Sequence, residues 1–198
     1  MIHALEFIAD HRCFKIGDTL TFRSGLNLLV GDQGSGKSTA LRLIINSAKS
    51  GALDRHDRAD AEKVCKLRVD PMRVMSFDFE KDNPRVSAHF SDRMDYGAQI
   101  TSRWKSHGEF TNMVLHALLQ IDKPTILLVD EPDMALSMRS ITKLIDIFKD
   151  VVSKGCQVLA AVHHPWIIES TPEVYSLEHR RWMSSAAFLV EMRKPEVR

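Results

Sequence analysis

The sequence predicts an α/β fold, a mostly parallel sheet with helices on both faces. Three observations carry that prediction. Short apolar runs alternate with segments of helical spacing along most of the chain. A glycine-rich loop, Gly31–Ser38, stands between an apolar run and a helical pattern. A second apolar run, Ile126–Val129, ends in two adjacent acids, Asp130 and Glu131.

The elements follow in order. Ile2–Ala9 reads as a strand and Thr19–Arg23 as a second. Ser24-Gly25 is a turn, and Leu26–Val30 is a third, apolar strand. The helix after the glycine-rich loop runs from about Gly36 to Ser47. Residues 51–70 are charged and mixed in sign, and read as a solvated, partly helical excursion. Arg73–Phe79 is a strand, and residues 80–107 are polar without a clear assignment. Gly108–Gln120 has helical spacing through Phe110, Val114 and Leu118. Thr125–Val129 is a buried strand, Ser137–Ser153 a helix and Cys156–Val162 another buried strand. Val174–Leu177 is a short strand, and the tail from Ser184 is a final helix or strand.

At 198 residues and 44% hydrophobic content the chain has enough material for one compact α/β domain, and residues 1–198 are read as such. Charge is balanced, 27 Lys+Arg against 26 Asp+Glu, so no global basic field announces nucleic acid. No apolar run approaches the roughly 20 residues of a membrane span, and no secretory leader is expected at Met1–Glu6. Cys13, Cys65 and Cys156 lie far apart without metal-ligand spacing. A reducing, cytoplasmic setting without direct membrane insertion is the expectation.

Gly31-Asp32-Gln33-Gly34-Ser35-Gly36-Lys37-Ser38 fits the pattern G-x-x-x-x-G-K-[ST], with Thr39 next in line. Glycines let successive backbone N–H groups turn inward around phosphate oxygens. Lys37 places a cation on the β- and γ-phosphates, Ser38 offers a hydroxyl to Mg²⁺, and the following helix points its positive end at the same anions. The plain alternative is a glycine-rich turn before a helix. At the C-terminal edge of a parallel strand, Asp130 can hold Mg²⁺ directly or through water. Glu131 is then placed to orient and deprotonate an attacking water. Taken alone, the pair is equally a strand ended by solvated acids.

The order of motifs resembles the ABC ATPase superfamily, in particular its soluble RecF-like and SMC-like branch. Gly25-Leu26-Asn27-Leu28-Leu29-Val30-Gly31 resembles the lead into the phosphate loop. Ser106-His107-Gly108-Glu109 is similar to the family signature, whose serine and glycine contact the γ-phosphate held by the opposite subunit. Glu131-Pro132-Asp133-Met134-Ala135-Leu136-Ser137 resembles the acidic strand end running into the D-loop, and Ala161-Val162-His163-His164-Pro165 the switch histidine. The resemblance implies a P-loop NTPase fold of ABC ATPase type with a small antiparallel β portion at the N-terminal side, ATP and Mg²⁺ as cofactors, and an ATP-dependent homodimer. It implies that residues 51–107 form a variable excursion and short helical lid leading to the signature. It assigns Glu131 and His163 to catalysis, and Ser106 and Gly108 to the nucleotide of a second copy. Without the resemblance, Ser106–Glu109 reads as a helix N-terminus and His163 as an ordinary surface histidine.

The sequence also departs from the family. No glutamine lies between residues 34 and 98, so Asp78 or Glu80, at the end of a strand, stands in for the usual Mg²⁺-contacting glutamine, or else both are solvent-facing strand residues. Arg12 and Phe14 are candidates to stack on the base, with a core role open for Phe14. Segment 81–105 is short, which argues against an ATPase subunit of a membrane transporter, and no heptad arm is present. The expected function is an ATP-hydrolysing switch, in DNA repair or processing or in a phage or defence system. The alternative is a nucleotide-gated module that times an interaction with another protein. Nucleic acid as a partner follows from kinship alone, because Arg55, Arg58, Lys63, Lys66 and Arg68 interleave with Asp54, Asp57, Asp60 and Glu62.

Overall fold

The structure, a computed structural model, describes residues 1–48, 55–78, 118–134 and 136–194, with residues 55–57 in backbone only. Its elements are β1 (Ile2–Phe7), β2 (Thr19–Thr21), β3 (Leu26–Val30), α1 (Lys37–Ala48), α2 (Arg55–Val64), β4 (Cys65–Val69), β5 (Arg73–Asp78) and β6 (Thr125–Asp130). They continue with α3 (Met138–Ser153), β7 (Gln157–Ala161), α4 (Pro165–Glu169), β8 (Glu173–Ser176), β9 (Arg181–Ser184) and α5 (Ser185–Met192).

Two sheets form. The larger has the order β5-β6-β7-β3-β8-β9, and the smaller β2-β1-β4. Pairing in the larger sheet is parallel from β5 to β8, and the β8–β9 hairpin adds one antiparallel edge. Both contacts of β1 are antiparallel. The fold is thus mixed α/β, with a mostly parallel sheet flanked by helices and a small antiparallel sheet.

The period of two along the central strands divides the core. Leu28, Val30, Leu127, Val129, Val158 and Ala160 point to one face, where Ile141, Leu144, Phe148 and Val151 of α3 pack with α4 and α5. Leu29, Ile126, Leu128, Leu159 and Ala161 point to the other, under Ala40, Leu41 and Ile44 of α1 and under Ile2, Leu5, Phe7 and Leu20 of the small sheet. Each of the Val, Leu, Ile and Phe side chains among them stabilises the fold by about 1.5–3 kcal/mol when fully buried. Helix α3 forms because its apolar residues recur at three- and four-residue spacing, and it starts at Ser137, whose Oγ accepts the Ser140 N–H at 3.3 Å.

Two buried amides fasten the strands to their surroundings. The Asn27 side chain donates to the carbonyls of Arg23, Gly25 and Val158 and accepts the Arg23 N–H. Gln157 Oε1 accepts the Ile2 N–H at 2.7 Å, and Nε2 donates to the carbonyls of Ile2 and Arg23 at 2.8 and 2.9 Å. One side chain of the large sheet therefore joins the first strand of the small one.

Three elements differ from expectation. The charged excursion contains a strand, β4, whose backbone pairs with β1 from Val69 to Cys65. Helix α4 was not foreseen in the run after His163; Pro165 starts it, and the His164 ring accepts the Trp166 N–H. Strand β9, which ends at Ser184, was not foreseen either, and the tail from Ser184 takes its helical alternative, α5 capped by Ser184. The helical pattern Gly108–Gln120 lies outside the described residues up to 117. No helix among the described residues is long and apolar enough to cross a membrane.

Candidate nucleotide site

The glycine-rich loop joins the C-terminal end of β3 to the first turn of α1, the usual place for an anion in such a sheet. Its shape depends on glycine. Gly36 has φ +98°, and a Cβ there would sit 2.5 Å from Cys13 Sγ and 2.7 Å from the Phe14 ring. Gly34, at φ +85°, faces open space, with nothing within 4 Å of the same construction. One glycine lets the loop press onto the N-terminal segment, and the other leaves the cleft clear.

A cleft of about 230 Å³ opens over this loop. Gln33, Gly34, Gly36, Lys37, Ser38 and Thr39 line it from the loop side, and Arg12, Cys13, Glu131 and His163 complete it. Lys37 is 5% exposed, and its ammonium donates to the carbonyls of Gly31 and Asp32 at 2.8 and 3.0 Å and more weakly to Ser35 Oγ. Burial holds it below the ordinary lysine range, while Glu131, Glu178, Asp130 and Asp32 pull it back up. Ser38 Oγ donates to Asp130 Oδ1 at 3.1 Å. Asp78 and Asp130 are register partners at the ends of β5 and β6.

Glu131 leaves β6 in the left-handed region, φ 51°, and its N–H donates to the Ala161 carbonyl of β7 at 3.1 Å. His163 follows β7, and its Nε2 lies 3.5 Å from Glu131 Oε1. Asp133 links the two segments, accepting the backbone N–H groups of His163 and His164 on Oδ2.

Arg12 is also left-handed, φ 54°, and its guanidinium reaches Thr39 Oγ1 at 3.4 Å. Arg12 and Thr39 border a second cleft of about 240 Å³ against Arg42, Asn46 and Asp60. Phe14 takes its core alternative and is no stacking surface for a base. It is fully buried, stacked on Phe7 with centroids 4.2 Å apart and covered by Arg180.

Glu80, Ser106 and Gly108 lie outside the described residues. Three residues near the site had no role in the sequence reading. Cys13 is an exposed thiol on the cleft wall. Glu178 accepts the Asp32 N–H at 2.7 Å and so pins the first arm of the loop. Asp133 ties two loops together. The signal for Asp133 was its place within the acidic motif; Glu178 and Cys13 reach the site only through tertiary packing.

The donor set fits a phosphate chain with a divalent cation. A buried ammonium turned on the carbonyls of its own loop can exchange them for phosphate oxygens. Ser38 and Asp130 offer the hydroxyl and carboxylate that Mg²⁺ takes from protein when phosphates and water supply the rest. Gly34 leaves room on the cleft side.

A family model described as AAA domain matches residues 20–165. The chain is also similar to a solved structure described as an inward-facing conformation of a metal-chelate type ABC transporter. The TM-score is 0.47 and the identity 15%, over 88% of this chain and 77% of that one. Curated proteins contain no match.

Proposed function

Because the chain belongs to the AAA domain family of P-loop NTPases, we propose that it is an ABC-type ATPase of the soluble RecF- and SMC-like branch, which hydrolyses ATP when two copies close around two ATP–Mg²⁺ sites. The observation that carries the reading is the cleft shared by Lys37, Ser38, Glu131 and His163. These residues come from the loop before α1, the end of β6 and the end of β7, so the fold, and not sequence proximity, assembles them.

Each residue has a task in this reading. Lys37 leaves the loop carbonyls for the β- and γ-phosphates. Ser38 and Asp130 hold Mg²⁺, with Asp78 beside them in register. The ion, when bound, neutralises charge on the transferring phosphoryl group. Glu131 orients the attacking water and accepts its proton, and His163, adjacent to Glu131, contacts the γ-phosphate. Arg12 and Thr39 stand between the phosphate cleft and the second cleft, which receives the nucleoside. Ser106 and Gly108 act on the nucleotide of the second copy. The protein works in the cytoplasm without entering a membrane, and its load is a nucleic acid or a protein.

Steady-state phosphate release tests this. Wild type should turn over with Mg²⁺, Lys37→Ala should not bind a fluorescent ATP analogue, and Glu131→Gln should bind it while its turnover falls by about 10²-fold or more. Wild-type turnover in Glu131→Gln would remove Glu131 from the role of base.

A further inference from the structure

We propose that Asp133 is a positioning residue, setting the separation of His163 from Glu131; this rests on the ATPase reading above. Asp133 belongs to the tight turn after β6, in which the Met134 N–H donates to the Glu131 carbonyl at 3.1 Å. Its Oδ2 takes two backbone donors from another loop, the N–H groups of His163 at 2.7 Å and His164 at 2.6 Å. Such charge-assisted bonds are short and roughly twice as strong as neutral ones. Its Oδ1 is shielded from solvent and has no hydrogen-bond partner among the described residues. A carboxylate oxygen buried in this way works against the fold, so the other oxygen's grip on the histidine loop must offset it.

That grip matters because the side-chain pair cannot hold itself. His163 and Glu131 are 46% and 33% exposed, and the 3.5 Å separation is long for a hydrogen bond. An exposed pair of this kind contributes little net free energy. The backbone must therefore fix the distance, and it does so at two points. One is the Glu131 N–H on the Ala161 carbonyl, a continuation of the β6–β7 ladder. The other, beyond the end of that ladder, is Asp133. Without Asp133 the backbone at His163 and His164 is released from the turn that carries Glu131, while Val162 stays bonded to the Leu29 carbonyl at 3.2 Å. None of its bonds touches the phosphate loop, so the loss should fall on turnover and spare nucleotide affinity.

The test uses Asp133→Ala, His163→Ala and the double variant, with phosphate release, equilibrium binding of a fluorescent ATP analogue and amide hydrogen exchange. In Asp133→Ala, kcat should fall about tenfold or more, since small misplacements of catalytic groups are costly, while analogue affinity stays within about twofold. The His163 and His164 amides should exchange about tenfold faster. Asp133→Asn keeps an oxygen for the same two donors and should restore most of the turnover. In the His163→Ala background, Asp133→Ala should slow turnover no further. Unchanged kcat, an equal loss of affinity, or an undiminished effect in the double variant would each overturn the proposal. Asp133→Ser, too short to reach both donors, carries the same expectations where Asp133→Ala does not fold. If wild type releases no phosphate, the ATPase reading fails, and amide exchange alone decides whether Asp133 holds the loop.

Discussion

Ser38 Oγ donates to Asp130 Oδ1 at 3.1 Å, although the two residues are 92 positions apart and β7 lies between β6 and β3, the strand that leads into the loop. The first turn of α1 thus rests on the end of β6, and the hydroxyl and carboxylate suited to one hard cation are already together. Asp130→Asn keeps the shape but removes the charge. It should weaken analogue binding in Mg²⁺ about tenfold, or ~1.4 kcal/mol, and leave binding in EDTA nearly unchanged. Parallel titrations in the two buffers check this.

The two loop glycines should differ in what they tolerate. Gly36→Ala meets Cys13 Sγ at 2.5 Å and the Phe14 ring at 2.7 Å, on a backbone with φ +98°. Strain and overlap together should cost about 3 kcal/mol. Gly34→Ala, with φ +85° and nothing within 4 Å, should cost only the left-handed backbone, about 1–2 kcal/mol. Urea unfolding of the nucleotide-free proteins measures both, and equal losses would contradict the packing account.

Nucleotide should control assembly. Glu131→Gln should be mainly dimeric in ATP–Mg²⁺ and monomeric in ADP, because only the γ-phosphate bridges the copies in the proposed mechanism. Adding Ser106→Arg should leave analogue binding intact and abolish the dimer. Light scattering with each nucleotide decides. A Glu131→Gln protein that remains monomeric in saturating ATP rules out the trans-site mechanism.

Gln157 should matter for stability more than its distance from the cleft suggests. Its side chain supplies three hydrogen bonds to the backbone of Ile2 and Arg23. Gln157→Leu strands those buried groups and should destabilise the protein by about 2–4 kcal/mol. Thermal unfolding gives the number, and a change below about 0.5 kcal/mol would show that water or a shifted backbone takes over the bonds.

The central strands were legible because burial on both faces leaves an unbroken apolar run. Leu26–Val30 is β3, and Ile126–Val129 lies within β6. Strand β4 was not, since Cys65-Lys66-Leu67-Arg68-Val69 carries two cations and mostly faces solvent. Its partner β1 is recognised through backbone groups, which leave no mark on composition. In the cleft, the phosphate loop and Asp130-Glu131 were legible because their chemistry is local. Glu178 was hidden because its one bond to the loop crosses 146 residues. Arg12 was legible as a candidate and not as a left-handed residue, because nothing in its side chain demands that conformation.

Glu131 has a consequence for protein engineering. A residue other than glycine at φ 51° is held off its preferred backbone, at a cost of order 1–3 kcal/mol. Glycine there would relax the peptide and raise the melting temperature while deleting the carboxylate. Screening for thermostability alone would therefore reward loss of the proposed base, a local trade-off between durability and activity.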